Sequence, residues 1–299
     1  MNLKQLRYFV QVAELGSFSR AAVQLEIAQP ALSRQIRRLE TGLKQNLLYR
    51  NGRGVSVTEA GKRLVDYARG ILHQVARAEE DLRDARGTLS GRVAVGLPPS
   101  IAKTITVPLT KEFRKRLPGA TLSIIEGMSA TMQEWLTLGR LDIALLYNPL
   151  PARGVDTIPL LEEDLFLIAP KSARSGVKPV SLADLPSLPL IIPNRPHAIR
   201  ALVEARLTAL GKKPLIAFEI DGVPSILELV AEGLGYAVLP RTAMLTSARP
   251  AAYVARPIVR PRLKSRLAIA VSSQRPVTPT QQAVLDLIRD LGRSVLAGD

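Results

Sequence analysis

The chain has 299 residues, 46% of them apolar and 22% charged, with no cysteine and only two histidines, His73 and His197. This composition can bury a core, excludes disulfides, thiolate metal sites and a cysteine nucleophile, and leaves little for metal chemistry or a histidine base. Lys and Arg number 41 against 26 Asp and Glu, and the resulting +15 favours a polyanionic partner.

A length at the point where single cores stop growing makes two domains the expectation. No stretch approaches the ~18 apolar residues of a membrane span, and Met1–Arg7 lacks the apolar region of a signal peptide, so a cytoplasmic protein is expected. Residues 1–70 carry 12 basic and 5 acidic side chains, while residues 88–299 carry 26 and 17. The head is more densely basic, but charge alone does not locate a nucleic-acid surface.

Asn2 and Gln5 are spaced as a helix cap and its reciprocal partner, with Leu6, Phe9, Val10 and Ala13 on one face and Gly16 as the stop. Ser17 opens a second short helix to about Leu25, with Phe18, Ala22 and Leu25 inward. After the tight Glu26-Ile27-Ala28 connection, Pro30 suits the first turn of a third helix. There Ala28, Leu32, Ile36, Leu39 and Leu43 stack on one side, whereas Pro30, Arg34, Arg37 and Thr41 point the other way with Ser33 and Arg38 beside them. Two short helices joined by a three-residue turn, the second turning Arg and Ser outward, describe a helix-turn-helix. Arg34 and Arg37 can donate to guanine edges or phosphates, Gln29 can read adenine and Ser33 can donate to a phosphate. The same face also reads as an ordinary solvated basic surface.

Residues 58–87 predict one long helix in which Leu64, Ala68, Ile71, Val75, Ala78, Leu82 and Ala85 recur at heptad spacing. Such a seam needs a partner, either the same helix of a second copy or the chain's own head. His73 lies beside it and reads as a packing residue. Gly87 and Thr88-Leu89-Ser90-Gly91 read as a hinge.

From Arg92 onward, short apolar runs at Val93–Leu97, Thr121–Glu126, Ile143–Tyr147 and Tyr236–Leu239 alternate with helical segments at Ile101–Leu117, Thr131–Leu138, His197–Leu210 and Ser225–Glu232. Lys264–Val271 could return the chain to the first half, and Thr278-Pro279-Thr280-Gln281 caps a last helix to about Leu296. Ligands of open α/β sheets bind where strand ends meet helix starts. That rule picks out Ser100, Ser129, Thr131 and Tyr147, then Asn194, Arg195 and His197, with Ser225 behind them. Hydroxyls, amides and helix N-termini favour a small anion, although Ser100, Ser129 and Asn194 could equally be helix caps. No nucleophile elbow, phosphate loop or dinucleotide fingerprint is present, so no enzyme and no cofactor is expected.

Phe18-Ser19-Arg20-Ala21-Ala22, the segment Gln29-Pro30-Ala31-Leu32-Ser33-Arg34-Gln35-Ile36-Arg37-Arg38-Leu39-Glu40, and Val57-Thr58-Glu59-Ala60-Gly61 resemble, in order and spacing, the LysR-type transcriptional regulators. Gly96-Leu97-Pro98-Pro99-Ser100 and Glu134-Trp135-Leu136 resemble the branch related to nitrogen-assimilation regulators. The resemblance implies an N-terminal winged helix-turn-helix (1–58), a linker and dimerisation helix with hinge (59–90), and a two-lobed α/β effector domain similar to periplasmic binding proteins (91–299). Lobe I would comprise about 91–161 and 267–299, and lobe II about 162–266. Arg20, Gln29, Pro30, Ser33, Arg34, Arg37, Arg50 and Arg53 would face DNA, Arg53 from the wing between Gly52 and Gly54. Arg50 has two roles open to it, binding phosphate or pairing with Glu40 to orient the wing. The family pattern Leu-Phe-x-Arg stands here as Leu48-Tyr49-Arg50, with Tyr49 expected as the aromatic plug. The implied partners are operator DNA, a small effector between the lobes, further copies as a dimer of dimers, and RNA polymerase, in a bacterial cytoplasm at the nucleoid. The competing reading is an architectural DNA-binding protein with a vestigial pocket. A solute-binding protein fits neither the basic head nor the N-terminus.

Overall fold

The computed structural model of the chain describes residues 1–51, 54–84, 89–172 and 177–296. Gly52 and Arg53 of the expected wing tip, Ala85 of the seam, and Gly87 and Thr88 of the expected hinge lie outside the described residues.

The head opens with α1 (Leu3–Leu15), α2 (Phe18–Gln24) and α3 (Gln29–Leu43). Asn2 and Gln5 form the reciprocal capping box, and Gly16 closes α1 at φ 58°, a left-handed conformation that glycine adopts without strain. The Ser17 hydroxyl accepts from the Arg20 N–H at the start of α2, and Pro30 occupies the first turn of α3. Phe9, Val12, Leu32, Ile36 and Leu39 are buried together in the head core.

The strands β1 (Leu48–Asn51) and β2 (Gly54–Val57) pair antiparallel as the wing, Leu48 opposite Val57. One expectation is corrected here. Tyr49 is 61% exposed and plugs nothing, while Leu48, 5% exposed, packs into the head core. Side chains alternate along a strand, so neighbours cannot both face inward.

The long helix α4 (Glu59–Asp84) follows, spanning about 39 Å at ~1.5 Å per residue. Its heptad seam is divided between two uses. Leu64 and Ala68 pack against Leu6 and Val10 of α1, so these two positions serve the chain's own head. Further along, Ile71 is 37% exposed, Leu82 81%, Ala78 is exposed and Val75 half-buried. Arg69 also pairs with Glu14 of α1 at 2.7 Å.

The remaining chain contains β3 (Gly91–Leu97), α5 (Pro99–Arg116), β4 (Ala120–Glu126), α6 (Ser129–Thr137), β5 (Ile143–Tyr147) and β6 (Val155–Pro170). Then come β7 (Val180–Ser181), β8 (Leu190–Ile192), α7 (Ala198–Thr208), β9 (Ile216–Glu219), α8 (Val223–Ala231), β10 (Ala237–Pro240) and α9 (Arg241–Leu245). The chain closes with β11 (Tyr253–Val259), β12 (Lys264–Ser272) and α10 (Pro279–Leu291).

One eight-stranded sheet runs β4-β3-β5-β12-β6-β11-β7, with β10 also on β6, and β8 pairs separately with β9. β6 is the shared member. Its first part lies against β12 and its last residues against β10 and β11. Two cores flank the crossing: Val95, Ile105, Leu109, Ile143, Ile269 and Ile288 on one side, and Leu167, Leu190, Val203, Ile226 and Leu239 on the other. β12 returns from the second layer to the first, as the apolar run Lys264–Val271 anticipates.

Candidate functional site: the reading head and the junction between the lobes

On the head, Gln29, Pro30, Arg34, Arg37 and Arg38 are exposed along one face of α3, and Ser33 is half-buried beside them. Arg34 and Arg37 form no ion pair among the described residues, so both guanidiniums project free from a helix whose other face is fixed in the core. A convex helix bearing unpaired forked donors suits a major groove. Arg20 is exposed on α2 and donates to the Leu15 carbonyl, which ties it to the turn.

Arg50 takes the second of its two open roles. Its guanidinium pairs with Glu40 at 2.9 Å and lies 5.1 Å over the Phe18 ring. Glu40 also accepts from the Leu47 and Leu48 N–H groups at 3.0 and 3.2 Å, so one carboxylate ties α3 to the first strand of the wing. Arg50 is a strut for the wing here, not a free phosphate contact.

In the α/β part, Ser100, Ser129 and Tyr147 come together. The Ser129 Oγ accepts from the Tyr147 N–H at 2.9 Å, fixing the start of α6 to the end of β5. Ser129 stands inside α6 after Met128, so it anchors a neighbouring strand instead of capping its own helix. Burial pushes the Tyr147 phenol up, the charge of Glu163 adds to this, and a hydrogen bond with Ser100 opposes it. Thr131 is half-buried in the first turn of α6. Neither α5 nor α6 has a side-chain cap, so the first-turn N–H groups of both helices have no capping side chain.

Glu163, which the sequence reading passed over, is the other member of this group. Burial pushes its carboxyl up, with Tyr147 opposing, and its Oε1 is sealed from solvent without a hydrogen-bond partner among the described residues. Its neighbour Glu162 points the opposite way, to Lys264 and Arg266. Because the ionised form is disfavoured in the folded state, Glu163 favours stability below the ordinary carboxylate pKa and loses that contribution as pH rises through its raised value. Glu163→Gln should therefore gain on the wild type as pH increases from 4 to 7. Melting curves that stay parallel across that range would contradict the burial argument.

The remaining candidates form a second group. The Asn194 N–H donates to Asp221 at 3.3 Å, and Arg195 is exposed and paired with Glu204 at 2.8 Å. Two expectations change here. His197 Nδ1 accepts from the Ile199 N–H at 3.2 Å, so the histidine is the cap of α7, and Asn194 is not. Burial lowers the His197 pKa against the pull of Asp221, which favours the neutral ring. Ser225 is exposed in the first turn of α8. No hydrogen bond or ion pair among the described residues joins this group to Ser100, Ser129 and Tyr147. The two layers do meet nearby, where Lys103 of α5 donates to the Thr246 carbonyl beyond α9 at 2.6 Å.

A helix-turn-helix carried by a long helix on a two-lobed α/β domain is the build of a ligand-responsive transcriptional regulator. Residues 3–62 match the bacterial regulatory helix-turn-helix protein, lysR family, and residues 86–293 match the LysR substrate binding domain. The chain belongs to the LysR family of transcriptional regulators, which bind DNA and a small-molecule effector and are not enzymes. It is 36% identical over 293 residues to the nitrogen assimilation regulatory protein nac of Klebsiella aerogenes, covering 97% of this chain and 95% of that one. It is also similar to a full-length OxyR variant of Pseudomonas aeruginosa, with TM-score 0.70, 25% identity, and coverage of 99% and 95%. CbnR in complex with its target DNA gives TM-score 0.69 and 25% identity, covering 97% of this chain and 99% of that one. Among the described residues no helix is long and apolar enough to cross a membrane.

Proposed function

We propose that α3 reads the operator through Gln29, Pro30, Ser33, Arg34 and Arg37, with Arg20 and Arg53 on the flanking backbone and Arg50 holding the wing. The observation that carries this is the exposed face of α3, where two arginines have no ion-pair partner among the described residues while the opposite face is locked in the core. Functional units at 1–58, 59–90 and 91–299 are supported by the head core and the two further cores, with the lobes parting along β6.

The face of α4 that carries Ile71, Val75, Ala78 and Leu82 pairs with the same face of a second copy, and pairs of dimers span the operator. The +15 charge and the family support a protein that works on DNA in the cytoplasm, at the nucleoid, with RNA polymerase as a further partner. The effector is a small molecule whose acidic group faces the starts of α5 and α6, within reach of Ser100, Ser129, Thr131 and Tyr147. Arg195 is answered by Glu204, so Asn194, Arg195, His197 and Ser225 frame the opposite wall and do not supply the charge.

Ser129→Ala tests the effector half. Losing the bond to the Tyr147 N–H costs about 1 kcal/mol of stability. A panel of small carboxylates that raises the wild-type melting temperature should lose that effect in the variant, with half-site DNA affinity unchanged. Stabilisation that survives in Ser129→Ala would move the effector elsewhere.

A further inference from the structure

His73 reads from its spacing as a packing residue, and neither Arg77 nor Asp142 takes part in DNA or effector binding as proposed above. Asp142 is only 2% exposed and stands immediately before β5. Its Oδ2 accepts from the Ala94 N–H of β3 at 2.8 Å and lies 2.9 Å from His73 Nε2 of α4. Its Oδ1 faces Arg77 Nη1, also of α4, at 3.2 Å. Arg77 donates onward to the Pro276 carbonyl at 3.0 Å and to Gln281 Oε1 at 3.1 Å, and Gln281 returns a bond to the Asp142 carbonyl at 3.0 Å. The Asp142 carboxylate thus ties the linker helix to β3 and β5, and its backbone carbonyl together with Arg77 adds the start of α10.

The rest of α4 supports the same contact. Asp66, Gly70, His73, Gln74 and Arg77 recur every three or four residues and so share one face. Asp66 pairs with Arg140, and Gln74 donates to the Gly139 carbonyl at 3.1 Å. At Gly70 the helix lies so close that a Cβ would collide with the Leu138 carbonyl oxygen. This polar face is distinct from the face of Ile71, Val75, Ala78 and Leu82 offered to a second copy.

We propose that Asp142 is a positioning residue for DNA recognition, the joint by which the effector domain holds the linker helix and, through it, the reading head at one angle. The head is fixed to the front of α4 by Leu6, Val10 and Ala68, and the middle of α4 is fixed to the effector domain by Asp142. The strand after Asp142 makes the joint sensitive to ligand. β5 is five residues long, about 17 Å at ~3.3 Å per residue, and ends at Tyr147 beside Ser100, Ser129 and Glu163. A ligand that shifts Tyr147 therefore pulls on the strand that begins at the joint. This last step rests on the effector reading above, whereas the joint itself does not.

The test uses full-length protein and a duplex selected by it from random DNA, with fluorophores on the two ends to read the bend. Two variants weaken the joint differently. Asp142→Asn removes the charge while keeping a similar shape, and Gly70→Ala pushes α4 off Leu138. Each is compared for melting temperature, affinity for a single half-site, and bend of the full duplex. The joint predicts half-site affinity within twofold of wild type, a changed bend in both variants, and a smaller change in the charge-conserving Arg77→Lys, which keeps the attraction to Asp142 but loses the fork. Hydrogen exchange on the wild type adds an arm that needs no variant: amides of residues 70–77 should open together with those of 94–97 and 143–147. Folded variants that bend DNA as the wild type does, or segments that exchange independently, would overturn the proposal. A bend that changes in the variants while small carboxylates have no effect on any of the proteins would retain the joint and refute the effector reading.

Discussion

Arg34→Ala weakens binding to the selected operator by about 1–3 kcal/mol, the value of one bidentate contact to a base edge. The side chain is exposed on α3, pairs with no carboxylate among the described residues, and contributes nothing to the head core, so stability should be unchanged. The loss should be concentrated at one base position, and specificity there should relax. Arg50→Ala differs in kind. It removes the partner of Glu40 and the cation over Phe18, so it loosens the wing and lowers affinity for all sequences alike. A competition assay across single-base variants of the operator separates the two. Uniform loss for Arg34→Ala would demote it to a phosphate contact, and no loss would remove it from the interface.

Ile71→Asp abolishes the pairing of copies along α4, so that no tetramer remains at micromolar concentration. Ile71 belongs to the part of the seam that the chain leaves uncovered, and a carboxylate buried there without a partner costs several kcal/mol. Position 68 provides the internal contrast. Ala68 is fully buried against Leu6 and Val10 of its own head, so Ala68→Asp should lower the melting temperature of the head before it affects assembly. Sedimentation velocity reads both. An Ile71→Asp protein that keeps the wild-type assembly would mean that α4 is not a pairing surface.

The head was legible because its signals are local. A cap and its partner three residues apart, a glycine stop, and leucines at helical spacing are decided within one turn, and Asn2, Gly16, Leu32, Ile36 and Leu39 behave accordingly. The heptad seam was legible as a pattern but not as a destination, because Leu64 and Ala68 face α1 while Ile71 does not. Periodicity records that a face is apolar and is silent about which surface covers it. The strand β6 escaped the reading because Pro159 and the run Glu162-Glu163-Asp164 break its apolar pattern. The structure accommodates Pro159 where the pairing with β12 shifts register between Leu267 and Ala268, an irregularity that tolerates a missing donor. Glu163 and Asp142 were invisible for a related reason. Each is one acidic residue among many, and its role arises from burial beside Tyr147 or from His73, which lies 69 residues earlier.

The most direct test of the account is the ratio of two affinities measured with the full-length protein at 0.15 M salt. One is for the duplex the protein selects and the other for the same bases shuffled. A sequence-reading head predicts a preference of at least about 10³-fold, reduced in Arg34→Ala, with both affinities falling as salt rises. Equal affinity for the two duplexes at every salt concentration would contradict it, and would leave the basic face of α3 as a general DNA-binding surface.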